Sequence, residues 1–193
     1  MQNILLLFDI DGTLIRESRA GHNAYIEALR TAFGVEAELD SLELAGKTDL
    51  VNLRDLLVRS GLDPDLSGAE QLLAAYLRHL EQAVRRDPGL VCPGVRQLLP
   101  ILQAQSWVSL ALGTGNLERG ARLKLAIHGL DGYFPTGGFG SDAVERAAII
   151  AAGITKAETY FGTRFDRVAV IGDTPRDIAC AKDNGVHSIG VAT

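Results

Sequence analysis

Cysteine is scarce in this chain of 193 residues: there are two, Cys92 and Cys180, and they stand far apart. That argues against a disulfide framework or a CxxC-type zinc cluster, and a reducing cytoplasm is the expected location. Long apolar stretches are also lacking. The longest run without a charged residue, Gln97 to Leu117, contains Pro100, Gln103, Gln105, Gly113 and Gly115 and does not read as a membrane span. The amino terminus has no basic flank, and Asp9 cuts the first apolar run too short for a signal peptide. Basic clusters are missing as well. The 19 Lys and Arg face 24 Asp and Glu, a net charge of −5, which argues against a nucleic-acid partner. What remains is ordinary for a globular chain, 47% hydrophobic and 22% charged, and long enough to bury a core without staples. The acidic excess has two open meanings, solubility or a cation site.

Four short apolar runs read as buried parallel strands: Ile4–Phe8, Trp107–Leu112, Arg167–Ile171 and His187–Ala192. Each is nearly continuous rather than alternating, as expected when helices cover both faces of a sheet. A weaker fifth strand is expected around Thr136–Phe139. Helical patterns lie between them, over Val95–Ala104, Leu117–His128 and Asp142–Phe161, the last with a possible break at Gly153. A final helix opens at Thr174, with Pro175 in its first position and Asp177 closing a capping box. This alternation predicts a doubly wound α/β domain. Residues 16–87 differ, because helical spacing fills them: Tyr25, Leu29 and Phe33, then Asp49 to Ser60, then a helix capped by Ser67 and Glu70. The expected division is an α/β core of residues 1–15 and 88–193, interrupted by an all-helical insert over residues 16–87.

Chemistry concentrates at the ends of the expected strands, where open parallel sheets bind ligands. Asp9-Ile10-Asp11-Gly12-Thr13 follows the first strand. Two carboxylates this close repel each other and call for a cation or a shared proton, although Asp11-Gly12 also suits a plain turn. Gly113-Thr114-Gly115-Asn116 follows the second strong strand and offers a hydroxyl and backbone N–H groups for an anion. A simple helix cap is the competing reading. A dinucleotide fingerprint fails, because Glu118 stands where its third glycine belongs. Gly172-Asp173-Thr174-Pro175-Arg176-Asp177 ends a third strand. Asp177 is accounted for by the capping box, whereas Asp173 is free to join Asp9 in holding a hard cation such as Mg²⁺. Positive charge beside such a site is expected from Arg146, with Lys156 as the competitor.

The ordered set resembles the haloacid-dehalogenase-like hydrolase superfamily, in particular its helical-cap phosphatases of the phosphoglycolate-phosphatase-like type. Asp9 and Asp11 match its DxDGT word, Thr114 its Ser/Thr, Arg146 its Lys/Arg, and Asp173 with Asp177 its GDxxxD; the helical insert matches its cap. The resemblance implies a Rossmann-like core and a Mg²⁺-dependent phosphatase acting on a small-molecule phosphate ester. Asp9 would be the nucleophile and Asp11 the acid and base. Mg²⁺ would be held by Asp9, Asp173 and the Asp11 carbonyl, with Asp177 behind them. Thr114, Gly115, Asn116 and Arg146 would bind phosphate. A phosphomutase of the same fold and a catalytically silent phosphate-binding protein stay open as alternatives. In the insert, Lys47 is a candidate contact to a substrate anion, as are Arg16 and Arg19, each with a solvated charge as the competing reading. Trp107 is expected in the core, and His22, His79, His128 and His187 lack metal-ligand spacing.

Overall fold

All five expected strands form, and they pair side by side in one parallel sheet. The computed structural model describes residues 2–16, 18–36, 46–64 and 66–192, the side chains of Leu66 and Ser67 excepted. The strands are β1 (Ile4–Phe8), β4 (Val108–Gly113), β5 (Gly137–Gly138), β6 (Arg167–Gly172) and β7 (His187–Gly190), in the spatial order β5-β4-β1-β6-β7. Between β1 and β4 in sequence lie two short strands, β2 (Ile15–Arg16) and β3 (Leu90–Val91), which pair with each other antiparallel. The sheet starts at its centre, steps to β4 and β5 on one side, and returns to β6 and β7 on the other. Phe8 sits level with both Leu112 and Ile171. Asp9, Thr114 and Asp173 therefore leave the sheet at one edge, at the switch point where doubly wound folds bind ligands.

Alternation along the strands divides the core in two. Phe8, Leu110, Leu112 and Ile171 point to one face, against Val95 and Leu99 of α4 (Val95–Gln103) and Ala121 and Leu125 of α5 (Glu118–Ile127). Leu5, Leu7, Ala111 and Val170 point to the other, against Ile150 and Ala157 of α6 (Arg146–Phe161) and Cys180 and Ala181 of α7 (Pro175–Asp183). Both faces of β1, β4 and β6 are covered, which is why those strands lack a polar side, whereas β7, expected as a buried strand, lies at the sheet edge and is exposed along its length. The stretch between β2 and β3 forms α1 (Ala20–Phe33), α2 (Asp49–Arg59) and α3 (Leu66–Arg86). These helices share a third apolar cluster, including Leu29, Leu56, Leu72 and Leu80, which reaches Leu117 at the start of α5. The expected cap at Ser67 lies outside the described side chains.

Three further local readings change. Helix α6 starts at Arg146 rather than Asp142, because Asp142 turns back to accept the Phe139 N–H at 3.0 Å. It also runs unbroken through Gly153. A Cβ there would stand 2.8 Å from the Gly138 nitrogen, so the glycine lets the helix lie directly on β5. Trp107 is not core: it precedes β4 at the rim of the sheet and is 40% exposed. Both cysteines are buried and free. Among the described residues, no helix is long and apolar enough to cross a membrane.

Candidate active site

A cavity of about 290 Å³ opens over the carboxyl ends of β1, β4 and β6 and extends up to the insert. Its floor includes Asp9, Asp11, Gly115, Asn116, Arg146 and Asp173; its upper wall includes His22, Tyr25, Lys47, Asn52 and Tyr76. The structure thus brings the two ends of the chain and the insert to one place.

Asp9 is 4% exposed, and Arg146 Nη2 lies 3.0 Å from its Oδ2. Burial raises the Asp9 carboxyl to about 6, opposed by Arg146 and assisted by the negative charges of Asp177 and Asp11. For Arg146 itself, burial works against the charge, but Asp9 and Asp177 outweigh it and hold the guanidinium more firmly protonated. Asp177 is fully enclosed. Its Oδ2 accepts the Thr174 N–H at 3.0 Å and hydroxyl at 2.7 Å, and its Oδ1 accepts from Arg146. The helix cap read from the sequence therefore also aims the arginine. Lys156 is directed elsewhere, 2.7 Å from both oxygens of Asp142.

Asp11 receives Asn116 Nδ2 at 2.7 Å and Lys124 Nζ at 2.9 and 3.0 Å. Lys124 is 6% exposed and was not among the expected site residues. The signal for it was present: with Leu117 and Ala121 it falls on the apolar stripe of α5, where a charge has no reason to be unless it is paired. Thr114 is completely buried, and the cavity is walled by its neighbours Gly115 and Asn116 instead. The Thr114 Oγ1 accepts from both Asn116 Nδ2, at 2.9 Å, and Asn116 N, at 3.3 Å. It fixes the asparagine that meets Asp11.

Gly115 is where insert and core touch. A Cβ on it would stand 2.5 Å from the Lys47 carbonyl oxygen, and its own carbonyl accepts the Asp49 N–H at 2.9 Å. Asp49, the first residue of α2, is buried and accepts the Tyr25 hydroxyl at 2.7 Å and the Leu117 N–H at 2.9 Å. Burial raises its carboxyl despite Lys124 and the Tyr25 hydrogen bond, and burial together with Asp49 pushes the Tyr25 phenol up. Lys47 does line the cavity, paired with Asp55 at 2.9 Å, whereas Arg16 and Arg19 are exposed and lie off its wall.

Asp9, Asp173 and Asp177 present carboxylate oxygens within 4.8 Å of one another. Both Asp177 oxygens are already engaged, so Asp9 and Asp173 are the two that remain for a cation. Burial and the charges of Asp177 and Asp11 raise the Asp173 carboxyl, while its own backbone N–H and the Thr13 hydroxyl oppose the shift. Gly12 has φ of 80°, and a Cβ there would collide with Asp173 Oδ2 at 2.2 Å, so only glycine leaves that carboxylate its place. Two hard oxygens in an anionic crevice fit a divalent cation.

The sequence model of the haloacid dehalogenase-like hydrolases matches residues 5–185, and the chain belongs to that family. It is 29% identical over 188 residues to the probable phosphatase IndB of Dickeya dadantii, covering 97% of this chain and 80% of that protein. It is 29% identical over 186 residues to the pyrophosphatase PpaX of Halalkalibacterium halodurans, covering 95% and 80%. Among solved structures, CbbY from Rhodobacter sphaeroides in complex with phosphate superposes with a TM-score of 0.78 at 18% identity, over 100% of this chain and 87% of that one, a likeness of fold.

Proposed function

We propose that this hydrolase is a Mg²⁺-dependent phosphatase acting on a small-molecule phosphate monoester, with Asp9 as nucleophile. The observation that carries the reading is the buried Asp9 carboxylate beside Arg146, with Asp11 and Asp173 at the same sheet edge. Both named relatives are described as phosphatases, one of them a pyrophosphatase, and the same activity is transferred here in that general form.

In the first half-reaction, an Asp9 oxygen forms a bond to phosphorus while the bond from phosphorus to the ester oxygen breaks, giving an aspartyl-phosphate. The departing oxygen takes its proton from Asp11. In the second, water attacks phosphorus, Asp11 accepts the water proton, and the Asp9 carboxylate leaves. Arg146, aimed by Asp177, meets the phosphoryl charge from one side. The Gly115 N–H and Asn116, braced by Thr114, meet it from the other. Asp9 and Asp173 would hold Mg²⁺, which would supply charge neutralisation. The helices between β2 and β3 act as a cap over the site, and Lys47 lies on its cavity face.

Phosphate release measured on purified Asp9→Asn tests the reading. Turnover is expected to fall by at least about 10⁴-fold, as when a covalent nucleophile is removed. Retained Mg²⁺-dependent turnover would sink the assignment, and transfer between two substrate positions without net phosphate release would replace hydrolase with mutase.

A further inference from the structure

The upper half of the cavity takes no part in the phosphoryl chemistry, and its polar atoms point to what leaves. Tyr25 has a single hydroxyl hydrogen, and the 2.7 Å contact gives it to Asp49 Oδ1. The phenol oxygen can then only accept, so Asn52, 3.5 Å away, must present its Nδ2 to Tyr25. That fixes the amide. Its Oδ1 is turned away from Tyr25, buried and without a hydrogen-bond partner, on a residue that is 3% exposed and lines the cavity. A buried amide oxygen left unpaired is costly, and it is tolerated where a ligand brings the donor. On the same wall, His22 has a buried Nδ1 that is also unpaired. An imidazole nitrogen can serve a hydroxyl as donor or acceptor.

Charge on this wall narrows the ligand further. Among the described residues, the Lys and Arg side chains lining the cavity are Lys47, Lys124 and Arg146, and each already faces a carboxylate: Asp55 at 2.9 Å, Asp11 at 2.9 Å and Asp9 at 3.0 Å. Asp49 adds a buried carboxyl beside Asn52 and Tyr25. A leaving group carrying its own carboxylate or phosphate would meet Asp49 and a lone amide oxygen. A hydroxylated one would supply the missing donors. The volume, about 290 Å³, is at the small end of ligand sites, room for a phosphoryl group and a few carbon atoms. The stacked Tyr25 and Tyr76 rings, 4.3 Å apart, give it a flat apolar side.

We propose that the ester cleaved here is the monophosphate of a small uncharged polyol or sugar, with Asn52 Oδ1 as the atom that selects its hydroxyl groups. This rests on the phosphatase reading and specifies it. The test is kcat/KM with Mg²⁺ for glycerol phosphate, ribose and glucose monophosphates, phosphoglycolate, pyrophosphate, a nucleoside monophosphate and p-nitrophenyl phosphate, on the wild type and on Asn52→Leu. A sugar or polyol monophosphate should lead phosphoglycolate and pyrophosphate by at least about tenfold, the scale of one buried hydrogen bond. The loss in Asn52→Leu should be at least about tenfold greater for that substrate than for p-nitrophenyl phosphate, which offers no hydroxyl donor. Equal losses on the two would overturn the role of Asn52. Wild-type preference for phosphoglycolate, pyrophosphate or the nucleotide would overturn the substrate class, and this arm stands even if the variant does not fold. Turnover of none of the panel would remove the phosphatase reading and this one with it, whereas turnover in the wrong order removes this one alone.

Discussion

At the scale of single residues, the site is a set of charges held at unfavourable positions by their partners. Asp9 shows the cost. Its carboxyl is raised from 3.8 to about 6 by burial, so the folded protein binds a proton more tightly than the unfolded chain. The folded state then loses stability as pH rises from about 4 to about 6, a contribution on the order of 2–3 kcal/mol. Above pH 6 the whole penalty is present; below pH 4 it vanishes. Asp9→Asn is expected to flatten this part of the pH dependence, read by chemical denaturation in the presence of a chelator. Lys124 shows the converse, a charge that is needed. Lys124→Met leaves Asp11 without its closest cation, and the unfolding free energy should fall by about 2 kcal/mol, less than for a fully enclosed pair because the Asp11 side chain is 30% exposed. The DxD carboxylates and Asp173 were legible because each stands at a strand end in a recognisable word, whereas Arg146 competed with Lys156 and was singled out by the family resemblance. Asp49 and Asn52 were not, because they gain meaning only when α2 and α5 meet across Gly115 and Leu117; Lys124 left a signal as a charge on the apolar stripe of α5, but its partner Asp11 appears only in the fold.

Among elements, strands of five or six residues buried on both faces left an unmistakable apolar run, and those runs located the sheet. The pair β2 and β3 left none: two residues each are too few for a period, and their pairing depends on chain returning from residue 90. Helix α6 was misjudged for a related reason. Glycine inside a helical pattern is locally unfavourable, so Gly153 offered a possible break, while its place is contact with Gly138. Gly153→Ala makes that testable. Alanine is the better helix former by about 1 kcal/mol. Its Cβ would nevertheless stand 2.8 Å from the Gly138 nitrogen, so a net loss of about 1–3 kcal/mol is expected in urea unfolding.

For the molecule as a whole, core and insert each carry their own apolar cluster, and the anionic crevice lies between them. A cation bound at Asp9 and Asp173 should stabilise the folded chain without any substrate present. At a hundredfold excess over its dissociation constant, Mg²⁺ would add about 2.7 kcal/mol, visible as a rise of several degrees in melting temperature. Asp173→Asn should abolish most of that rise. A rise of the same size in the variant would move the cation elsewhere.

The grip of α2 on the core has a consequence for the floor of the cavity. The main chain of Asp49 holds the Gly115 carbonyl, and its side chain holds the Leu117 amide. The two bonds clamp both ends of the segment from Gly115 to Leu117. Between them stands Asn116, which meets Asp11. The contacts of α2 with Gly115 and Leu117 thus flank the residue that meets Asp11, and a change at Asp49 is expected to be felt there.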